Sequence, residues 1–318
     1  MSPRRRLGKK LFKTLLPILI LVVLAVGVSV SFIVYGVTRP PRHAYLVTPK
    51  SFREISGPAL KVSDETWSNY DGTQARGWLL RGVEGAPAVI LLHRYGVDRS
   101  WLFNLGIKIN ETTNFTVLWP DLRGHGVDPP VKWSSFGIDE GKDVLAAMHF
   151  LNTLKSEAGR PLIGQHVGLY GVELGALAAL EAAQNHNEVI SLVLDSVPAS
   201  SDDLLQSSVK EDIGIDNKFV QYLVRNAMRL YFTGGYSTVS TCEIAASSKD
   251  RRVLLLSGPE SDQLRNSTIS LSHCFPPSTA VEIKSDLPLT GFRLPSATGE
   301  EGEAYDRRVI DFFDRNLR

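Results

Sequence analysis

The sequence contains few of the features that mark metal, redox or nucleic-acid-binding proteins. It has 318 residues, only two cysteines and a formal net charge of +1. A charge balance so close to zero gives no reason to expect a nucleic-acid partner. Its histidines, cysteines and acids show no metal-ligand spacing, and no glycine-rich phosphate-binding loop occurs. We therefore predict no metal, no cofactor and no nucleic-acid partner.

The two cysteines, Cys242 and Cys274, leave two alternatives open. A disulfide between them is chemically allowed if the domain is exported to an oxidising compartment. Two free buried thiols would leave the same trace in the sequence. The residues alone do not decide between these alternatives.

Acidic residues are absent from the first 14 positions, which are strongly basic. The basic side chains there are Arg4, Arg5, Arg6, Lys9, Lys10 and Lys13. Residues 15–37 follow without a charged side chain and would extend about 35 Å as a helix, enough to cross the roughly 30 Å hydrocarbon core. A cleaved signal peptide would have a shorter apolar region, of about 7–15 residues, and a small-residue cleavage site.

We therefore predict that residues 15–37 are a single-pass transmembrane signal anchor, with the lipid bilayer as their partner. The basic residues before the helix place residues 1–14 in the cytoplasm and the C-terminal domain outside it, in the periplasm or the extracellular space if the source is bacterial.

Residues 38–60 carry prolines and arginines without periodicity and are predicted to be a loosely packed linker. In residues 61–318, short apolar segments alternate with amphipathic helical patterns, which is typical of a doubly wound, mostly parallel α/β sheet. The predicted strands are 74–80, 88–92, 116–118, 167–170, 189–194, 253–256 and 279–283. Residues 196–250 interrupt the alternation and are predicted to form a small cap.

Three motifs stand in a fixed order along this domain. They are Val-Ile-Leu-Leu-His-Arg-Tyr-Gly at 89–96, Trp-Pro-Asp-Leu-Arg-Gly-His-Gly at 119–126 and Gly-Leu-Tyr-Gly-Val-Glu-Leu-Gly at 168–175. Together they resemble the α/β-hydrolase family, particularly its serine-aminopeptidase and lysophospholipase-like branch. The resemblance covers about residues 60–318 and implies an eight-stranded sheet with a small helical cap after the sixth strand.

The third motif resembles the nucleophile elbow G-x-S-x-G of that family. Gly171 and Gly175 occupy the two glycine positions, but Glu173 occupies the position of the serine. A glutamate has no hydroxyl for acyl transfer. It could attack as a carboxylate, as an aspartate does in some relatives, but it is one methylene longer and would overshoot the same position.

The catalytic histidine of the family is also missing. It would follow the eighth strand, yet no histidine occurs after His273. The turn Ser-Gly-Pro-Glu-Ser-Asp at 257–262 resembles the turn that carries the catalytic acid. Asp262 fits the acid position best, and Glu260 is the second choice.

The loop that builds the oxyanion hole also departs from the family, because His93 is followed by Arg94 instead of glycine. We predict that Arg94 and Glu173 form an ion pair that fills the former active site. By resemblance, His93, Arg94, Tyr95, Leu174 and His125 line this pocket. His93 is expected to hold its loop by a hydrogen bond, and His125 is the one candidate for a substitute base.

Two functions remain open. In the first, the chain is a membrane-anchored pseudoenzyme that keeps the fold to bind a small-molecule or protein ligand of unknown identity, or to assemble with other molecules. In the second, it is an active hydrolase of esters, amides or lactones in which Glu173 acts as nucleophile or as general base.

Overall fold

The structure is a computed structural model that describes residues 3–56, 61–184, 186–259, 261–293 and 299–318. Within these residues, eight strands form one sheet in the order β1-β2-β4-β3-β5-β6-β7-β8. The strands are β1 (Val62–Ser68), β2 (Gln74–Leu80), β3 (Ala86–Leu92), β4 (Thr116–Pro120), β5 (Ile163–Val172), β6 (Val189–Asp195), β7 (Arg252–Leu256) and β8 (Ala280–Lys284). β2 pairs antiparallel with β1 and β4, and all the other pairs are parallel. The predicted eight-stranded, mostly parallel sheet is confirmed.

The sequence patterns did not predict the edge strand β1. Its residues are mostly polar, and only Val62 and Trp67 are buried. An edge strand with one face towards solvent gives a weaker apolar signal than a central strand buried on both faces. β3 shows the opposite pattern, because its residues from Ala88 to Leu92 are all fully buried.

Helices cover both faces of the sheet. The helices are α1 (Pro3–Val37), α2 (Pro49–Ser56), α3 (Phe103–Thr113), α4 (Ile138–Thr153), α5 (Leu174–Ala183), α6 (Ser201–Ile213), α7 (Lys218–Tyr231), α8 (Thr241–Ala246), α9 (Asp262–Leu271) and α10 (Glu300–Leu317). A short 3₁₀ helix, Arg99–Leu102, precedes α3. One core cluster lies under α4, α5 and the cap, and a second lies under α3 and α10. Apolar cores on both sides of the sheet explain why β3, β4 and β7 are almost continuously apolar.

A small helical cap, formed by α6, α7 and α8, lies between β6 and β7. A disulfide joins Cys242 in α8 to Cys274 beyond the end of α9, with their Cα atoms 5.2 Å apart. It connects the cap to the segment between β7 and β8.

The helix α1 includes the predicted membrane span, and Phe12–Val37 is long and apolar enough to cross a bilayer. Its last turns also belong to the domain, because Ile33, Val34 and Val37 are buried in the core cluster under the cap.

The segment that follows α1 packs more tightly than predicted. The Tyr45 ring lies 5.2 Å from the Trp78 ring and its hydroxyl donates to Asp121 Oδ2 at 2.7 Å, while Phe52 in α2 lies 5.1 Å from Phe103. Residues 38–56 are therefore attached to the domain more firmly than a loose linker would be, because Tyr45, Val47 and Phe52 are partly buried against its core. Residues 57–60 lie outside the described residues.

Candidate functional site

The sharp turn between β5 and α5 presents Glu173. This residue has φ 50° and ψ −103°, a left-handed conformation that costs a non-glycine residue on the order of 1–3 kcal/mol. A Cβ at Gly171 would collide with the backbone of Gly175, and a Cβ at Gly175 would collide with the backbone of Leu92. The elbow therefore keeps the strained geometry that exposes a nucleophile in this type of turn, with a carboxylate in the nucleophile's place.

The carboxylate of Glu173 turns back onto backbone donors. The N–H of Tyr95, in the loop after β3, donates to Oε2 of Glu173 at 3.0 Å. The N–H of Leu174, the first residue of α5, is close enough to lower the pKa of this carboxyl. An N–H from the loop after β3 and the N–H after the nucleophile are the two donors of the oxyanion hole in such a turn. Glu173 thus accepts a hydrogen bond from one of these two donors, the Tyr95 N–H, which would otherwise be open to a substrate oxygen.

Burial raises the pKa of Glu173 to about 7. The charge of Arg94 and the two backbone N–H groups lower the pKa, and the nearby charge of Glu211 raises it. Because only 7% of the residue is exposed, the cost of desolvating its charge is larger than the help from its neighbours. Both the acid and the carboxylate forms are therefore populated near neutral pH.

The predicted ion pair between Arg94 and Glu173 is wrong. No guanidinium nitrogen of Arg94 lies within 4.0 Å of a carboxylate oxygen of Glu173. The guanidinium instead lies 5.1 Å from the ring centre of Trp101 and 4.9 Å from that of Phe292, and its Nη1 donates to the carbonyl of Tyr95 at 3.1 Å. Aromatic faces hold the cation, so its charge acts on Glu173 only from a distance.

His125 has no free ring nitrogen in this structure. Its Nε2 accepts the N–H of Gly96 at 3.2 Å, and its Nδ1 lies 2.9 Å from the carbonyl of Arg123, to which it donates. Burial lowers its pKa to about 3. The expected substitute base is therefore a neutral side chain occupied on both sides, and this geometry contradicts a catalytic role for it.

His93 holds the loop after β3, as its sequence position suggested. Its Nε2 accepts the N–H of Leu122 at 3.1 Å, and its Nδ1 lies 2.8 Å from the carbonyl of Arg94. Burial lowers its pKa to about 4. The ring connects the loop after β3 to the loop after β4 and offers no proton-accepting nitrogen to the pocket.

The loop after β8 brings Phe292 to the pocket, in the region where the family resemblance would place a histidine. Phe292 and Glu173 line the same cavity. The preceding residue, Gly291, donates its N–H to Asp195 Oδ2 at 2.7 Å, and Asp195 also accepts hydrogen bonds from the hydroxyls of Ser196 and Tyr305. The sequence analysis missed both Phe292 and Asp195. The available signal for Asp195 was its position, because it is the acidic residue that ends the apolar strand β6.

Asp262 does not reach the site. It is exposed at the first position of α9, where the hydroxyl of Ser261 caps the helix by accepting the N–H of Leu264 at 3.3 Å. Asp262 is absent from the described residues that line the cavity around Glu173. An acid role for it therefore stays a prediction without a contact to Glu173. Glu260, the second choice, lies outside the described residues.

The cavity beside Glu173 has a volume of about 260 Å³ and is covered by the cap helix α6. Its lining is rich in carboxylates, with one lysine. The lining residues are Glu173, Pro198, Asp203, Gln206, Ser207, Lys210, Glu211, Asp216, Ser261, Gln263, Leu264 and Phe292. Lys210 pairs with Asp216 at 2.8 Å. In the parts of the chain that are described, no group of three or more histidine, cysteine or acidic side chains could hold a metal ion.

No protein-family model matches the sequence. No curated protein matches it either. Solved structures do resemble it. The esterase Pf2001 of Pyrococcus furiosus is 20% identical with a TM-score of 0.62, and the alignment covers 88% of this chain and 100% of that one. The α/β hydrolase GrgF of Penicillium sp. sh18 is 15% identical with a TM-score of 0.57, covering 81% of this chain and 99% of that one.

The acylaminoacyl peptidase of Pyrococcus horikoshii is 13% identical with a TM-score of 0.54, and the alignment covers 86% of this chain and 44% of that one. Identities this low establish the fold and leave the chemistry to the site. The chain therefore has the α/β-hydrolase fold.

Proposed function

We propose that this chain is a membrane-anchored pseudoenzyme that has exchanged serine-hydrolase catalysis for the binding of a small polar ligand over Glu173. The observation that carries the proposal is the hydrogen bond from the Tyr95 N–H to the Glu173 carboxylate. A substrate carbonyl would need that donor when its oxygen becomes negative. In this chain the Glu173 side chain already accepts that hydrogen bond and would compete with any substrate oxygen for the donor.

The surroundings of Glu173 support the same conclusion. His93 and His125 are buried with both ring nitrogens engaged, and Phe292 lines the cavity in the loop where the family resemblance implies a histidine. An ester formed on Glu173 would need a base to activate water for its hydrolysis. Neither imidazole is available for that step.

The composition of the cavity favours a cationic over an anionic ligand. Glu173, Asp203 and Glu211 line it together with the Lys210–Asp216 pair, so carboxylates outnumber cations. Like-charge repulsion would disfavour an anion there, whereas an amine would gain from the local potential. A cavity of about 260 Å³ suits a small molecule.

We propose further that α1 is a retained signal anchor with its N-terminus in the cytoplasm. Six basic residues precede the span without an acid, which favours that orientation. The disulfide between Cys242 and Cys274 supports an oxidising compartment for the domain.

One observation favours the second candidate, an active hydrolase. A pKa of about 7 would suit Glu173 for general acid–base catalysis on a water molecule. Such a base would have to release the Tyr95 N–H before the donor could serve a substrate, so we rank this function second.

The test uses the full chain in lipid nanodiscs beside its Glu173→Gln variant. Hydrolysis of p-nitrophenyl butyrate, an aminoacyl p-nitroanilide and a small lactone is measured, with an active esterase as positive control. We expect both chains to equal the buffer rate. Turnover by the wild type that disappears in the Gln variant would establish the second candidate instead.

Ligand binding is tested separately by thermal unfolding with putrescine and with citrate as probes. Putrescine is expected to raise the unfolding temperature and citrate to leave it unchanged. A Glu211→Gln variant is expected to respond less to putrescine. An equal response to both probes would contradict a cationic ligand.

A further inference from the structure

The outer face of α7 is apolar although it faces solvent. Phe219, Tyr222 and Leu230 are 66%, 54% and 81% exposed, and at their spacing of three and eight residues they fall on one side of the helix. The opposite side carries Val224 and Met228, which are buried in the core. A cap helix that only covered a core would need a polar outer face.

The end of α1 lies beside this face. Val34 and Tyr35 of α1 line a groove together with Leu230 and Tyr231 of α7, and Trp133, which is 40% exposed, completes its wall. The groove has a volume of about 520 Å³. Through Leu230 and Tyr231, the C-terminal end of the exposed face of α7 is thus continuous with the surface of the helix that could enter the membrane.

The length of α1 leaves little room between the domain and the bilayer. The apolar span Phe12–Val37 has 26 residues, and its last turns are packed into the domain through Ile33, Val34 and Val37. Residues 12–29 would extend about 27 Å at 1.5 Å per residue, against a hydrocarbon core of roughly 30 Å. If α1 crosses the membrane, the surface around its end must touch the bilayer.

We propose that α7 and Trp133 form a lipid-contacting surface, with α7 lying in the bilayer interface and the groove beside α1 accepting a lipid acyl chain. This inference rests on the membrane insertion of α1 proposed above. Within α7, Lys218, Arg225 and Arg229 are basic and no residue is acidic. Basic residues beside exposed aromatic and leucine side chains are typical of interfacial helices, and Trp and Tyr concentrate at the membrane boundary.

The test measures tryptophan quenching by brominated phosphatidylcholine in nanodiscs that carry the full chain. Of the five tryptophans, Trp67, Trp78 and Trp119 are buried, whereas Trp133 is 40% exposed. We expect brominated lipid to quench a fraction of the emission of the wild type that is missing from a Trp133→Phe variant. Equal quenching of the two chains would overturn the inference.

A second pair of variants tests the α7 face itself. Leu230→Glu places a charge on the proposed contact, and Val83→Glu places one at a 59% exposed position in the loop after β2. Quenching of Trp133 is expected to fall in the first variant and to remain in the second. An equal effect of both changes would count against the proposed surface.

Resistance to alkaline carbonate extraction tests the membrane insertion of α1 separately from the lipid-contacting surface. A chain that is extracted has no inserted anchor, and the membrane part of the proposed function fails. A chain that resists extraction but shows no Trp133 quenching overturns the lipid-contacting surface alone. Nanodiscs that then hold paired copies would identify the face as an interface between two chains.

Discussion

The backbone N–H of Tyr95 lies 3.0 Å from Oε2 of Glu173 and donates a hydrogen bond to it, although 78 residues separate the two along the chain. The hydroxyl of the same tyrosine donates to the carbonyl of Val37 at the end of α1. Tyr95 therefore connects the altered nucleophile position to the last turn of the apolar helix. A hydrogen bond to a charged group stabilises a fold by about 1.5–3 kcal/mol.

Stability should fall as the pH rises through the range in which Glu173 ionises. Its pKa is raised by burial from 4.5 to about 7, so the folded chain binds the proton more tightly than the unfolded chain does. The resulting stability is fully present below pH 4.5 and is lost as the pH rises to about 7. At 1.36 kcal/mol per pKa unit the loss is about 3 kcal/mol.

Denaturant unfolding of the wild type and of Glu173→Gln at pH 5 and pH 8 measures this contribution. The Gln variant should lose less stability between the two conditions. Asp143, whose pKa burial also raises to about 7, is present in both chains and cancels in the comparison. An identical pH dependence in both chains would show that Glu173 does not titrate as described.

The disulfide should contribute measurably to stability. It closes a loop across 32 residues, and the chain-entropy model assigns such a loop about 3–4 kcal/mol. Replacing both Cys242 and Cys274 by serine should lower the free energy of unfolding by about 3–4 kcal/mol. Thiol titration of the unfolded, unreduced wild type gives the control, because two reactive thiols per chain would mean that the bridge does not form.

The end of α1 should behave as part of the domain. A chain that begins at Val30 keeps Ile33, Val34 and Val37, whereas a chain that begins at Arg39 loses all three buried side chains. Each is worth on the order of 1.5–3 kcal/mol of burial, so the shorter chain should unfold at a markedly lower temperature. Equal unfolding temperatures of the two chains would show that the end of α1 does not stabilise the domain.

Restoring the serine alone should not restore catalysis. The Glu173→Ser variant has the hydroxyl and frees the Tyr95 donor, but His93 and His125 have no free nitrogen to activate that hydroxyl. We expect no labelling by a fluorophosphonate probe. Adding Phe292→His should raise the labelling rate, because Phe292 borders the same cavity as residue 173. Labelling of the single serine variant would reveal a base that this account lacks.

The sequence was sufficient to predict the elbow turn, but not which groups its central side chain contacts. Gly171 and Gly175 flank Glu173 at a spacing that has one structural explanation, a turn without room for side chains. The surroundings of Arg94 could not be predicted, since Phe292 comes from a distant segment, the loop after β8, and together with Trp101 contacts the guanidinium in place of Glu173.

The boundary between the apolar span of α1 and the domain shows a different limit to prediction. Val34 and Val37 continue the apolar pattern of α1, and membrane and core positions favour the same residue types. Only tertiary packing shows that these side chains are buried under the cap. The exposed face of α7 was hidden for the same reason, because Phe219 and Leu230 resemble core residues in the sequence.

The most direct measurement of the central claim follows the Tyr95 amide by NMR in chains labelled with ¹⁵N-tyrosine, across pH 5 to 9. If the Glu173 carboxyl accepts that N–H, the Tyr95 amide shift should titrate with a midpoint near the pKa of about 7, and the titration should vanish in Glu173→Gln. A Tyr95 amide that is insensitive to pH, or that titrates equally in both chains, would show that the Glu173 carboxyl does not accept the Tyr95 N–H.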